Sequence, residues 1–284
     1  MINRIFIPTV HRVDNQIAFS SIPDKYKNLV TLVVQAWERP LYSYDCDYLV
    51  LPDTLEFHYS DYYCLPKTRK FIYENGKDMK YAVIDDDIKF RRRNTKYITG
   101  VSNMEKSQRI VTDEDFDEMM ITFDRWLDEV TVVGCSQTEN PPSPVPYREN
   151  TSLTSAFFVN GTHFKDLLPF LDLTSVRVSE DVCFLLSLLT NGYRNRVSEE
   201  FLTFNSSNAD KKMPSTVWDT QTSEQTLKDH KKLEAMFPGI YRILYDDIGK
   251  RIVGGYRNHG KTSVKWSKAF NSKVTNTLDD FFIG

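Results

Sequence analysis

Short apolar runs alternate with amphipathic stretches along this chain, a pattern typical of an α/β protein. Seven runs predict strands: Arg4–Ile7, Leu29–Val34, Tyr48–Leu51, Tyr81–Ile84, Val130–Val133, Ser155–Val159 and Phe201–Thr203. Three stretches with apolar residues at helical spacing predict helices: Lys67–Asn75, Asp113–Asp128 and Asp181–Asn191. We therefore expect an α/β fold with a mixed, mostly parallel central sheet that is flanked by helices.

Local signals mark the ends of two of these helices. Thr112 precedes a run of acids and predicts an N-cap, while Asn191-Gly192 predicts the end of the third helix. The segment Gln137–Thr154 contains four prolines and predicts a long loop.

Composition excludes some classes of protein and leaves a local charge imbalance. The 284 residues are 40% hydrophobic and carry a net charge of −3, which gives no overall attraction to nucleic acid or membrane. The 24 residues from Lys250 to Lys273, however, contain seven Lys or Arg and no acid. This basic stretch favours an anionic partner for the C-terminal region.

Cysteines and apolar runs predict an intracellular protein without a membrane anchor. The four cysteines lack the spacing of a zinc site, so we expect small core residues in a reducing compartment. No stretch has the length of a transmembrane helix, and the first apolar run is too short for a signal peptide. We expect a cytoplasmic location, which is the host cytoplasm if the protein is phage-encoded.

The strand Tyr81–Ile84 runs directly into three carboxylates, Asp85, Asp86 and Asp87. Such acids also occur in solvated loops, but the ends of strands in α/β sheets are where ligands bind. If the strand continues, Asp85 and Asp87 face one side and could hold Mg²⁺ or Mn²⁺. We expect Asp87 to be the direct ligand and Asp85 to face a ribose.

Two segments that precede these acids in the sequence carry residues that could bind a nucleotide. The first strand ends at Pro8 and Thr9 and is followed by Arg12, which could hold a base or ribose at the sheet edge. Lys67 and Arg69 open a helix and could bind phosphate, although a solvated basic face has the same pattern.

Later positions offer a general base and further phosphate contacts. Glu180 and Asp181 open a helix, where one carboxylate could deprotonate a substrate. Arg257, His259 and Lys261 lie in a glycine-rich segment, in which His259 could bind metal and Lys261 could neutralise a phosphate.

The arginines that follow the acidic triplet have two possible roles. Arg91, Arg92 and Arg93 could offset the repulsion among the carboxylates or bind a polyanionic acceptor. Lys265 and Lys268, in the basic C-terminal stretch, are further candidates for phosphate contacts.

In this order, these elements resemble the nucleotide-sugar glycosyltransferases of the GT-A fold, in which a DxD motif holds a divalent cation. More narrowly, the chain resembles the bacteriophage glycosyltransferases that modify hydroxymethylated pyrimidines in DNA, a group related to the base J glucosyltransferases. The segments that carry the resemblance are Ile5-Phe6-Ile7-Pro8-Thr9, Leu65-Pro66-Lys67-Thr68-Arg69, Val83-Ile84-Asp85-Asp86-Asp87-Ile88, Ser179-Glu180-Asp181 and Phe237-Pro238-Gly239 with the preceding Leu233. One departure is that His11-Arg12 lacks the glycine expected in that turn.

The resemblance implies a single GT-A-like domain over 1–284. It divides into a donor half at 1–100, an acceptor half at 101–249, and a basic segment at 250–284 that closes over the donor or contacts DNA. It implies an inverting transfer of a glucosyl or arabinosyl group from a nucleoside diphosphate sugar, favouring UDP, to hydroxymethylcytosine in double-stranded DNA. Mn²⁺ or Mg²⁺ would bind Asp85, Asp87 and His259.

Within that resemblance the remaining site residues take defined roles. Asp181, or else Glu180, would be the base, while Lys261 and Arg257 would share the charge of the leaving group. Donor-binding positions would be Pro8, Thr9, Arg12, Lys67, Arg69, Asp85 and Asp86, and DNA-contacting positions would be Arg91, Arg92, Arg93, Lys265 and Lys268.

Three other functions remain open from the sequence. The acceptor could be a glycan, as in polysaccharide synthesis. The acids could belong to a haloacid-type phosphatase, although Ile88-Lys89 departs from the pattern of that family. The chain could also be an α/β protein that binds nucleic acid without catalysis. The sequence does not indicate an oligomeric state.

Overall fold

One large sheet with helices on both faces forms most of the described chain, which in this computed structural model comprises residues 1–94, 107–138, 143–205, 223–244 and 261–279. The strands are β1 Arg4–Pro8, β2 Val30–Val34, β3 Asp47–Val50, β4 Lys80–Ile84, β5 Ile88–Arg93, β6 Gln108–Ile110, β7 Val132–Gln137, β8 Tyr147–Glu149, β9 Ala156–Asn160, β10 Asn195–Asn205, β11 Tyr241–Leu244 and β12 Lys261–Val264. The helices are α1 Ile17–Ser21, α2 Cys64–Gly76, α3 Asp113–Trp126, α4 Glu180–Thr190, α5 Ser223–Met236 and α6 Trp266–Asp279.

The sheet is mixed, and most of its strands point the same way. Its order is β3-β2-β1-β4-β9-β7-β10-β5-β6, with β8 paired to β10. Seven of these ten described strands share one direction, and β5, β8 and β9 oppose them. The predicted fold class, an α/β protein with a mixed, mostly parallel sheet flanked by helices, is confirmed.

Burial on both faces explains why the central strands are continuously apolar. On β1, Ile5 and Ile7 face the core that contains α1 and α3, whereas Phe6 faces the core that contains α2 and α4. On β4, Ala82 and Val83 divide between the same two cores. The carboxyl ends of these strands are therefore held rigidly between two packed layers.

Helix α4 is buried on two sides, because it lies between the sheet and the C-terminal elements. Phe184 and Leu188 face the sheet, while Leu186 and Leu189 pack against α5, α6 and β11. The start of α4 is thereby fixed between two apolar cores.

The predicted ends of helices α3 and α4 are confirmed by their backbone contacts. The Thr112 side chain accepts a hydrogen bond from the Asp115 amide, and the Asp115 side chain accepts one from the Thr112 amide, which makes a capping box. Gly192 has a positive φ of 83° after the end of α4.

Each predicted strand and helix corresponds to an observed one, but β5 was not predicted and β10 was predicted only in part. β5 begins at Ile88 and includes the run of arginines, and β10 extends from Asn195 although only Phe201–Thr203 was expected. The long loop before Thr154 contains the short strand β8.

Cysteine and membrane features agree in part with the sequence predictions. All four cysteines are free, and Cys64, Cys135 and Cys183 are buried in the cores, as predicted. Within the described ranges, no helix combines the length and the apolar character that crossing a membrane requires.

Candidate functional site

A cleft of about 610 Å³ lies at the carboxyl edge of the sheet, where segments that are far apart in sequence meet. It is lined by residues at the carboxyl ends of β1, β2, β3, β4, β7 and β10, and by the starts of α2 and α4. The predicted site residues among them are Pro8, Thr9, Arg12, Arg69, Asp85, Asp86, Asp87, Glu180 and Asp181. The edge of an α/β sheet at which strands end is the usual place for a ligand, and the volume suits a small molecule.

The three aspartates form the turn between β4 and β5. The strand ends at Ile84, so the condition for the expected alternation, a strand that continues through Asp85 and Asp87, is not met. Asp86 and Asp87 instead share one cationic partner, Arg12, while Asp85 contacts Arg69. The turn conformation replaces the strand geometry on which the prediction rested.

Arg12 is held against the aspartates by the turn after β1. Its Nε lies 3.2 Å from Asp86 Oδ2, and its Nη2 lies 3.7 Å from Asp87 Oδ2. Thr9 Oγ1 donates a hydrogen bond of 2.7 Å to the same Asp86 oxygen. Gln16 Nε2 donates to Thr9 Oγ1 at 2.8 Å, so a buried polar chain fixes Asp86.

The turn that carries Arg12 contains a backbone conformation that glycine favours. His11 has a φ of 58°, at the turn where the resemblance leads one to expect a glycine. Glu38, only 1% exposed, accepts the His11 amide hydrogen at 2.7 Å and lies 3.3 Å from His11 Nδ1. Sequence reasoning missed Glu38, because a lone acid after a strand has no distinguishing pattern.

Arg69 joins α2 to both the aspartate turn and the start of α4. Its Nη2 lies 2.6 Å from Asp85 Oδ1, and its Nε lies 3.1 Å from Glu180 Oε1. One helical turn further on, Tyr73 stacks on Phe184 with ring centroids 4.3 Å apart. The stacked rings fix the spacing of the two helices, and this spacing places Arg69 between the two carboxylates.

Left-handed backbone conformations occur around this cleft. Ser155 (φ 66°) and Ser179 (φ 63°) line it, and His11 follows the lining residue Val10. The Ser155 carbonyl accepts the Asp85 amide hydrogen at 2.8 Å, and Ser179 immediately precedes the acid pair of α4. Such conformations cost about 1–3 kcal/mol each and are concentrated at functional sites.

The described lining of the cleft holds more carboxylates than cations. It contains six acids, Asp61, Asp85, Asp86, Asp87, Glu180 and Asp181, against three arginines, Arg12, Arg69 and Arg177. Burial raises the pKa of Asp86 to about 7, against the opposing effect of Arg12. Burial also raises the pKa of Glu180, which Arg69 opposes, and that of Asp181. Protons or a cation would relieve the excess negative charge.

The donor set fits a hard divalent cation, although the described residues do not form a closed metal site. Asp85, Asp86 and Asp87 supply the cleft with carboxylate oxygens, the ligands that Mg²⁺ and Mn²⁺ prefer. No group of three or more His, Cys, Asp or Glu with metal-binding geometry is present in the part of the chain that the structure covers. His259, the further ligand expected from the sequence, lies outside that part, as does Arg257.

One of the predicted phosphate-binding lysines lies away from the cleft, and the position of another side chain is not described. Lys67 does not line the cleft, and its Nζ lies 3.5 Å from Asp61 Oδ1. Lys261 begins β12, and its side chain lies outside the described residues.

Two of the three arginines of β5, Arg92 and Arg93, make ion pairs within the protein. Arg92 bonds Asp115, Glu118 and Glu200, and Arg93 is buried with its Nε donating to the Glu199 carbonyl at 2.8 Å. A DNA contact through either residue would require these bonds to break. Arg91 is partly exposed over the ring of Phe204.

The predicted lysines of the C-terminal region line an open groove of about 720 Å³ that is separate from the cleft. Lys265 and Lys268 are exposed there, and Lys268 Nζ donates to the Gly239 carbonyl at 3.3 Å. Arg148 adds a third basic residue to this groove. The groove borders the segment Asn150–Thr151, which forms hydrogen bonds with Asn195 at the start of β10. The opposite end of β10 reaches the cleft.

Comparison with known proteins gives loose structural likenesses. No protein-family model matches the sequence. No curated protein matches it in sequence. The chain is similar to the crystal structure of S. aureus TarS 1–349, with 11% identity and a TM-score of 0.40, over 81% of this chain and 65% of that one. It is also similar to A197 from STIV, with 14% identity and a TM-score of 0.35, over 72% of this chain and 85% of that one. At these scores neither likeness supports an inference about this chain.

We predict that Arg69→Met destabilises the protein by about 3–5 kcal/mol near neutral pH, because it leaves buried carboxylates without their cation. Losing the guanidinium raises the pKa of Glu180 further, so the folded variant binds more protons than the unfolded one. The difference in unfolding free energy between wild type and Arg69→Met should therefore be largest at alkaline pH and become smaller as the pH falls. Urea unfolding of variant and wild type across a pH series measures this.

Lys67→Met is the matched control for Arg69→Met, since it removes a cation from the same helix. The ion pair between Lys67 and Asp61 is partly exposed and long, so removing it should lower the free energy of unfolding by less than about 1 kcal/mol. Equal losses for the two variants, or a deficit of Arg69→Met that does not change with pH, would contradict the assigned role of Arg69.

Proposed function

We propose that this protein is a metal-dependent glycosyltransferase that uses a nucleoside diphosphate sugar, with UDP favoured as the nucleotide. One observation carries the proposal. Four segments that the family resemblance singled out, at Thr9–Arg12, Arg69, Asp85–Asp87 and Glu180–Asp181, line a single cleft. Basic residues (Arg12 and Arg69) and acidic residues (Asp85–Asp87 and Glu180–Asp181) both line this cleft. A diphosphate needs the basic residues, whereas a cation and a general base need the acidic ones.

Charge balance supports a role for a divalent cation in donor binding. A diphosphate brings at least two further negative charges to a cleft whose described carboxylates already outnumber its arginines. Asp85, Asp86 and Asp87 would hold Mg²⁺ or Mn²⁺, which when bound would neutralise the leaving diphosphate as a Lewis acid. Arg12 lies beside these carboxylates, where it can share the charge of the phosphates.

Asp181 is the better candidate for the general base. Glu180 is ion-paired to Arg69, whereas no ion pair engages Asp181 within the described residues. The raised pKa of Asp181 increases its basicity towards a hydroxyl. In the proposed step, Asp181 takes the proton of the acceptor hydroxyl, whose oxygen bonds to the anomeric carbon while the bond to the diphosphate oxygen breaks. Attack from the opposite face inverts the configuration.

The proposed acceptor is the hydroxymethyl group of 5-hydroxymethylcytosine in double-stranded DNA. This choice rests on the narrower family resemblance, with glucosyl or arabinosyl transfer as the expected reaction. A base in a duplex would have to be flipped into the cleft or approached through the major groove. Arg91, Lys265 and Lys268 remain proposed phosphate contacts, since all three are at least partly exposed.

We predict that UDP raises the melting temperature only when Mn²⁺ or Mg²⁺ is present. Binding to the native state alone stabilises it by about 2.7 kcal/mol at a hundredfold excess over Kd. Asp85→Ala and Asp87→Ala should abolish this protection and reduce sugar transfer from UDP-sugars. Asp47→Ala, an exposed acid on the edge strand β3, is the control and should keep both properties. Wild-type transfer by Asp85→Ala and Asp87→Ala with added cation would refute the metal assignment.

We predict that Asp181→Asn lowers kcat by about 10²–10⁴-fold while the KM for the donor changes little, because the amide cannot accept the proton. Glu180→Gln should have a smaller effect on kcat and a larger effect on stability, since it breaks the pair with Arg69. Steady-state kinetics together with urea unfolding separates the two roles. The reverse pattern would assign the base to Glu180.

We predict that incubation with hydroxymethylcytosine DNA and a panel of nucleotide sugars yields a heavier modified nucleoside. Digestion to nucleosides followed by mass spectrometry provides the measurement, and DNA with unmodified cytosine is the control. Donor hydrolysis without a modified nucleoside would favour a glycan acceptor. Binding to DNA without any metal-dependent protection by UDP would favour a non-catalytic nucleic-acid-binding protein.

A further inference from the structure

Helix α5 places a buried carboxylate behind the segment that leads into α4. Asp229 is 1% exposed, and its Oδ2 accepts the amide hydrogens of Arg177 and Val178, each at 2.9 Å. Both of these residues line the cleft. A side chain from outside the cleft thus fixes the backbone of one of its walls.

The same carboxylate also fixes the residues that precede α2. The Tyr62 hydroxyl donates to Asp229 Oδ2 at 3.0 Å, and the Arg177 guanidinium lies 4.8 Å from the centre of the Tyr62 ring. Burial, together with the Asp229 charge, raises the pKa of Tyr62, which therefore stays a hydrogen-bond donor. Asp229 in this way connects the approaches to α2, which carries Arg69, and to α4, which carries Glu180.

The start of α4 depends on such external support. Ser179, at the N-cap position, has the left-handed conformation and makes no capping hydrogen bond through its side chain. A helix that begins in this way lacks the local fixation that a serine or threonine cap normally supplies. The two backbone bonds to Asp229 lie one and two residues before Ser179, where they can hold the left-handed turn.

We propose that Asp229 is a positioning residue, which holds the turn at Ser179 and so sets the place of Glu180 and Asp181 in the cleft. Its catalytic consequence rests on the proposed glycosyltransferase function, whereas its effect on the backbone does not. Because the bonds of Asp229 reach the reacting groups only through the main chain, the effect falls on kcat more than on donor affinity. A carboxylate displaced by an ångström can cost about 10²-fold in rate.

Glu234 on the same helix provides a matched comparison. Its Oε1 accepts the amide hydrogen of Ile243 at 3.0 Å, so it also binds backbone through a carboxylate. Ile243 belongs to β11, and neither residue lines the cleft. Asp229→Asn and Glu234→Gln therefore make the same chemical change on one helix, and only the first change reaches the cleft.

The test measures hydrogen–deuterium exchange and kinetics on the full chain. Asp229→Asn should speed amide exchange at 177–183 by about tenfold, whereas Glu234→Gln leaves exchange there unchanged. With a donor and acceptor that the wild type uses, Asp229→Asn should lower kcat by about 10²-fold with the donor KM within about threefold. Glu234→Gln should keep the wild-type kcat.

A second pair of variants guards against a failure of Asp229→Asn to fold. Tyr62→Phe removes one donor to Asp229 and should lower kcat by about fivefold, the equivalent of one hydrogen bond. Tyr63→Phe, at the neighbouring ring, should leave kcat unchanged.

Each outcome of these tests decides a specific claim. If the amides of 177–183 exchange at the same rate in Asp229→Asn as in Glu234→Gln, the positioning role of Asp229 is refuted. Equal kcat values for Tyr62→Phe and Tyr63→Phe would do the same if Asp229→Asn does not fold. A wild type that transfers no sugar refutes the proposed function instead, and the exchange measurement still decides whether Asp229 holds the turn.

Discussion

The cleft depends on one buried cation. Arg69 is 5% exposed and bonds both Asp85 and Glu180, which belong to segments nearly a hundred residues apart in sequence. Without its charge, the carboxylates at the end of β4 and at the start of α4 would repel each other in a poorly solvated space. The stacked pair Tyr73 and Phe184, one turn further along the two helices, supplies the rigid spacing that makes this double contact possible.

Around this cation, acids serve two different purposes. Three acids inside the cleft, Asp86, Glu180 and Asp181, have raised pKa values because burial is incompletely compensated, and this makes them suited to binding a cation or exchanging a proton. Two acids outside it, Glu38 and Asp229, are each 1% exposed and accept backbone amide hydrogens next to strained turns. The second group stabilises conformations that His11 and Ser179 would not hold by themselves.

The sequence predicts the elements of this fold better than it predicts the contacts between them. Periodicity and capping residues locate β4 and α3 closely, because these signals are local. β5 was missed because Arg91–Arg93 interrupt its apolar alternation, and these arginines become acceptable only through partners such as Glu199 and Asp115, which are distant in sequence. Glu38 and Asp229 could not be identified for the same reason: a single acid acquires its role from the backbone that folds against it. The strand alternation expected for the three aspartates does not apply, because a turn, rather than a strand, carries them.

The order of strands in the sheet has a consequence for how the protein folds. β4 and β5 are separated by three residues in the chain, yet β9, β7 and β10 lie between them in the sheet. The turn that carries the aspartates can reach its final shape only after β10, more than a hundred residues later, has paired with β5. Such distant pairings are slow to form, so the carboxylates should come together late in folding. On the ribosome, a nascent chain that ends before β10 would contain all three aspartates but not their cleft.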